Sequence, residues 1–203
     1  PDMRIGNTKF NHELFSQFPD DIFSDSEIKT LNDATNIFFE KSKNISETIQ
    51  KKELERFVIE LSWKSSKIEG NTYTLLDTER LLVDGIEATG HSKDEATMIL
   101  NHKKAFDYII KHIHQYKYIS VSLIEDIHKL LVIDLGISYG LRSVSVGVTG
   151  SRYVPIAIPV QIKSVLQELC DRVNTIDNPY VKVLLMLVGI SYVQPFEDGN
   201  KRT

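Results

Sequence analysis

From Val181 to Val193 the chain is apolar on every face of the helix that its length implies. A helix with no polar side has to run through the interior of the body it belongs to. Pro179 stands just ahead of it, where a first helical turn tolerates proline. The fold is therefore expected to be organised around this helix, which delivers Gln194-Pro-Phe-Glu-Asp-Gly-Asn-Lys-Arg202 at its C-terminal end. Its longest uninterrupted apolar run, Val183 to Ile190, falls far short of the roughly 20 residues that cross a bilayer. The N-terminus lacks a secretory pattern, so the chain reads as cytoplasmic, with no membrane partner.

The rest of the sequence predicts more helices. From Glu53, Leu54, Phe57, Val58, Leu61 and Ile68 recur in steps of three and four, Gly70-Asn71 supplies a stop, and Ser65 and Glu69 prolong the stripe. A short helix over about 77–83 ends at Gly85, and Ser92-Lys-Asp-Glu95 offers a capping box for a long one carrying Ala96, Ile99, Phe106, Ile109, Ile110 and Ile113. Ser122-Leu-Ile-Glu125 repeats that signature for a helix closed by Gly136, and another runs from Pro159 to about Thr175. Ahead of these, Ile28, Leu31, Thr35, Phe38 and Phe39 suggest one amphipathic helix in a mixed stretch of about 48 residues. The period changes once: Val144, Val146 and Val148 alternate, Thr149-Gly150-Ser151 is turn chemistry, and Arg152-Tyr153-Val154 forms the return of a short hairpin. The expected fold is mainly α with one β-hairpin flap, divided into an N-terminal helical region, 1–90, and a core, 91–203.

Composition removes some functions. Over 203 residues the formal charge is −4 and the pI about 5.9, so no basic field exists to hold a nucleic-acid backbone. The single cysteine, Cys170, falls on the stripe Val165, Leu166, Leu169, Val173 and reads as a small core residue. The histidines at 12, 91, 102, 112, 114 and 128 show no metal-ligand spacing and are expected at the surface or at helix ends.

The segment after the apolar helix has the parts of an anion site. Gly199 lets backbone approach closely, unpaired amides of a following helix point at a ligand, Arg202 brings a forked donor, Asn200 can fix the loop or bond a phosphate, and Asp198 suggests Mg²⁺. On these grounds alone, Asp-Gly-Asn is a common turn, and a plain loop between two helices is the favoured reading.

The segment also resembles the Fic motif, His-Pro-Phe-x-Asp/Glu-Gly-Asn-Gly-Arg, at Pro195, Phe196, Asp198, Gly199, Asn200 and Arg202. Ser65-Ser-Lys-Ile-Glu69-Gly70 is similar to that family's inhibitory pattern Ser/Thr-x-x-x-Glu-Gly/Asn, and 142–155 looks like its target-binding flap. The resemblance to the Fic/Doc superfamily covers the chain from about residue 60. It implies transfer of AMP from ATP to a Ser, Thr or Tyr hydroxyl of a protein. Phe196 would anchor the loop, Asp198 hold Mg²⁺, Gly199, Asn200 and Lys201 line the phosphate cradle, and Arg202 bind phosphate. Ser65, Glu69 and Gly70 would restrain the site, while Arg142, Val144, Val146 and Tyr153 would serve the flap, which takes an extended target segment by strand addition. A homodimer stays open.

The sequence departs from the family at three points. Gln194 stands where the motif has its general base, and an amide accepts no proton near neutral pH. A weakened adenylyltransferase and a nucleotide-binding pseudoenzyme both follow from that. Lys201 replaces the second glycine, as in the Doc-like branch, where phosphoryl transfer is the alternative. The motif's second arginine, the expected partner of Glu69, would fall three residues after Arg202, and Lys-Arg-Thr203 reads as the opening of a helix rather than a natural end.

Overall fold

The structure is a computed structural model that describes residues 8–43, 45–148 and 150–203. Seven α-helices follow in order among these residues: α1 Asp25–Lys43, α2 Glu47–Ile68, α3 Leu75–Asp84, α4 Lys93–His112, α5 Val121–Val132, α6 Pro159–Thr175 and α7 Pro179–Val193. The expected mainly helical class is what is found. Caps set most of the boundaries. Thr74 and Ser92 each close a capping box, with Asp77 and Glu95 respectively. The cap of α5 is Ser120, whose side chain accepts from the Leu123 amide, and Ser122 merely bonds its hydroxyl. α5 accordingly ends at Val132, before the expected stop at Gly136.

The main core lies between α5, α6 and α7. Ile162, Val165, Leu166, Leu169, Cys170 and Val173 of α6 face Val181, Leu185, Ile190 and Val193 of α7. A Cβ on Gly189 would meet the Leu169 side chain at 2.6 Å, so the missing side chain is what lets the two helices approach this closely. Burial raises the Cys170 thiol to about 11, in keeping with an inert core residue. α7 departs from expectation in one respect: it is central on one face only. Val183 is 68% and Leu187 65% exposed on the face that also carries Ser191.

The stretch before α1 is part of the core. Phe15 is buried among these helices, with Phe10, Leu14, Phe18, Ile22 and Phe23 packed around it. Asn11 donates its amide to the Tyr192 hydroxyl at 2.7 Å, and Arg172 donates to the Phe18 carbonyl. α1, by contrast, buries no residue, and Phe38 and Phe39 are exposed. α2 packs on α3 and α4 through Val58, Ile59, Ser62 and Ser66. Leu54, Phe57 and Ile68, expected on its buried stripe, are exposed.

No strand is formed among the described residues. The 142–155 segment does reverse direction, with the Ser151 amide donating to the Val148 carbonyl at 3.0 Å. Thr149, part of the expected turn, lies outside the described residues. The two arms are held by Arg142 rather than by a ladder. Its guanidinium donates to the carbonyls of Val144 at 2.8 Å and Ile156 at 2.5 Å.

Candidate functional site

α7 ends on Gln194, which adopts a left-handed conformation at φ 49°, ψ 59°. A non-glycine residue there is uncommon and costs on the order of 1 kcal/mol or more. Three bonds hold it. Its amide donates to Ile190 O, its carbonyl accepts from Arg142 Nε at 2.6 Å, and its side-chain amide turns back onto Ser191 O at 2.7 Å. The residue at the motif's first position is thus fixed by the flap arginine. Its own side chain is engaged by its helix end.

Beyond Gln194 the loop closes on itself. Phe196 is fully buried. Asn200 accepts from the Phe196 amide at 2.9 Å and donates to the Phe196 carbonyl at 2.8 Å, clasping the loop. Gly199, at φ +78°, turns the chain. Its carbonyl then accepts from the amides of Arg202 and Thr203, so a helical turn opens here. Asp198 Oδ1 accepts from the Gly199 amide at 2.6 Å, with the carboxylate half exposed. Lys201 is exposed beside the same turn.

Arg202 is the most unusual group in the molecule. Its side chain is completely buried, yet its guanidinium makes one hydrogen bond, from Nη1 to Leu131 O at 3.3 Å. Nε and Nη2 have no hydrogen-bond partner. They lie 3.7 Å from Glu69 Oε1 and 3.6 Å from Asp198 Oδ2, respectively. A buried cation with donors to spare is costly unless something negative completes it. Glu69, at the C-cap of α2, is the nearest carboxylate from outside the loop. The end of α2 therefore reaches the motif through Arg202; the arginine that the resemblance implies three residues further on is not among these 203 residues. Ser65 is half-buried one turn earlier, lining a cleft of about 320 Å³ that Leu61, Phe106, Leu131, Ile190, Asn200 and Arg202 also border. Gly70 takes φ +93° as α2 ends, and Asn71 beyond it donates to the Glu95 carbonyl at 2.8 Å, tying α2 to α4.

The remaining expected site residues belong to the flap's base. Arg142 is buried, and each of its three guanidinium nitrogens donates to a backbone carbonyl. Tyr153 stacks on Tyr192 and donates to the Tyr192 carbonyl at 2.7 Å. Val144 is exposed and Val146 partly so. Val154 already gives its amide to Thr8 O at 3.0 Å.

Two histidines expected at the surface are in fact buried beside the motif. His102 sits under Arg202, its Nδ1 3.2 Å from Ser62 Oγ, and burial followed by the charge of Arg202 lowers it to about 4. His128 is fully buried, stacked on Phe196 with ring centroids 3.7 Å apart, its Nε2 3.0 Å from Asp198 O. Burial lowers it too. The signal was present in the sequence: Ile124, His128 and Leu131 share one face of α5, and Ile99, His102 and Ala105 one face of α4.

This arrangement has relatives. The model of the Fic/DOC family matches residues 118–203. Among solved structures, Fic-1 from C. elegans is similar at TM-score 0.72 and 21% identity, over 86% of this chain and 53% of that one. A Fic family protein from Desulfovibrio desulfuricans G20 is similar at TM-score 0.73 and 19% identity, over 91% and 56%. A Fic domain containing signaling protein from Bacteroides thetaiotaomicron VPI-5482 gives 0.69 and 23%, over 80% and 65%. The chain thus spans less than two thirds of the length of each. No curated protein matches it significantly. The motif, its buried arginine and the helical scaffold agree with that match: residues 118–203 are similar to the Fic/DOC family.

Proposed function

We propose that residues 194–202 bind the phosphates of ATP and that the protein is a nucleotidyltransferase of the Fic type, transferring AMP to a Ser, Thr or Tyr hydroxyl of a protein, restrained by Glu69 and weakened by Gln194. The observation that carries this reading is Arg202: a fully buried guanidinium with Nε and Nη2 unbonded, beside a left-handed glycine at a helix opening. A phosphate oxygen is a ligand such a group lacks. Glu69 stands 3.7 Å away as the internal substitute, so nucleotide and Glu69 compete for one cation. That competition is the proposed restraint.

Asp198 is the residue that would hold Mg²⁺, since this cation takes one or two carboxylates from a protein and the rest of its shell from phosphates and water. The exposed carboxylate fits that donor set. When bound, the ion would neutralise charge on the phosphates. The exposed Val144 edge is where an extended target would pair, because Val154 on the return arm is already engaged by Thr8.

A second reading, a nucleotide-binding module without turnover, is favoured by the side-chain amide of Gln194, which is bonded to Ser191 O and carries no basic nitrogen. Incubating the protein and Gln194→His with protein substrate and ATP labelled at the α or the γ phosphate tests both. Transfer of α label supports the enzyme, γ label alone the Doc-like phosphotransferase, and binding with no label in either protein the module. Absence of ATP binding contradicts the site itself.

A further inference from the structure

The anion loop rests on α5, and one side chain makes the contact. The His128 ring lies flat against Phe196, with 4° between the planes. A Cβ on Gly199 would come within 3.6 Å of His128 Cδ2 and 3.2 Å of Val132 Cγ1, so the loop sits directly on this helix face. The hydrogen bond from His128 is more specific than the packing. Asp198 O can only accept, which makes Nε2 the protonated nitrogen and leaves Nδ1 unprotonated, buried and without a partner.

A trans peptide carries its C=O and N–H on opposite sides. With Asp198 C=O drawn inward by His128, the Gly199 N–H of the same peptide is turned outward, to the side where the Asp198 carboxylate now accepts it at 2.6 Å. The unbonded Nη2 of Arg202 lies 3.6 Å from the other oxygen of that carboxylate, Asp198 Oδ2. If this peptide flipped, the loop would present a carbonyl oxygen where a phosphate has to sit.

We infer that His128 is the positioning residue of the phosphate loop: its Nε2–H, donated to the Asp198 carbonyl, orients the 198–199 peptide so that the Gly199 amide faces the nucleotide. The inference rests on the proposed ATP site, and it assigns work to a residue outside the motif. A purely structural role would need the ring alone. A positioning role needs the donor.

Two variants separate the ring from the donor. His128→Phe keeps a flat ring against Phe196 and removes the N–H; His128→Gln removes the ring and keeps an N–H at similar reach. Mg-ATP affinity by calorimetry, the melting temperature and the Gly199 amide resonance are read on the parent and both variants, and the parent's His128 tautomer is read by ¹⁵N resonance. The expected result is a folded His128→Phe whose affinity falls about tenfold or more, the size of one lost oriented donor, with a displaced Gly199 amide. His128→Gln melts lower yet binds within about threefold of the parent. Unchanged affinity and an unchanged Gly199 resonance in His128→Phe overturn the inference. So does an Nδ1–H tautomer in the parent, which also decides the matter should His128→Phe fail to fold. If the parent itself does not bind Mg-ATP, the proposed function fails, and the Gly199 resonance still decides whether His128 sets the loop.

Discussion

The two sides of the candidate site are held by different means. On one side, the motif is built on α7 and packed on α5, with Phe196, Val193, Leu185, Leu166 and Leu169 almost completely buried in a single core. On the other, α2 brings Glu69 to Arg202 on a helix whose buried residues are two aliphatic side chains and two serines, one of the serines lacking any hydrogen-bond partner for its hydroxyl. A close-packed apolar interior has one arrangement, whereas a polar seam of this kind releases its groups to water at little cost. The motif loop is therefore the more firmly packed part of the site and the end of α2 the less firmly packed part.

The contrast can be broken by mutation. Phe196→Ala should have the largest effect on the fold, about 3–5 kcal/mol of unfolding free energy in a denaturant titration, because it empties the site where the core meets the loop. A loss below about 1 kcal/mol would mean that the loop is not anchored there. Gln194→His restores a general base and should raise AMP transfer by about 10²–10⁴, measured with α-labelled ATP. The histidine must first leave the Ser191 carbonyl that the glutamine amide now holds, so the lower end of that range is the firmer expectation.

Acid should loosen the contact between α2 and α4 at His102. Burial and the neighbouring Arg202 lower His102 to about 4 from 6.5, so the folded state prefers the neutral ring. Its contribution is fully present above pH 6.5 and is lost as pH falls from there towards 4, at up to about 1.4 kcal/mol per pH unit. Melting temperatures between pH 7 and 4.5 should therefore drop less steeply for His102→Gln than for the parent. Ser62→Ala, which removes the partner of His102 Nδ1, is expected to cost about 1 kcal/mol. Equal slopes for His102→Gln and the parent would remove His102 from the account.

Much of this was legible in the sequence. Helix identities followed from apolar period and caps, as at Ser92, and the motif's residue types match its geometry: a glycine at φ +78° and an asparagine clasping its own loop. What the sequence hid was tertiary. α7 reads as apolar all round, but period alone does not say which faces neighbours cover, and Val183 and Leu187 lie outside that cover. The alternating valines suggested a ladder, while Arg142 satisfies the carbonyls that a ladder would have used. The aromatic residues before α1 show no period, and they entered the core through Phe15 without one. His102 and His128 were discounted for lacking metal spacing, a test that does not ask whether a histidine lies on a buried stripe. The sequence also did not show that Arg202 stands within ion-pair distance of Glu69.

The most direct test of the account is a calorimetric titration of Mg-ATP into the parent, Glu69→Gly and Arg202→Ala. If Arg202 is the phosphate ligand and Glu69 its internal competitor, Glu69→Gly binds about tenfold tighter than the parent, the effect of about 1.4 kcal/mol, and Arg202→Ala does not bind measurably. Equal affinity in all three proteins, or no binding even in Glu69→Gly, would contradict it.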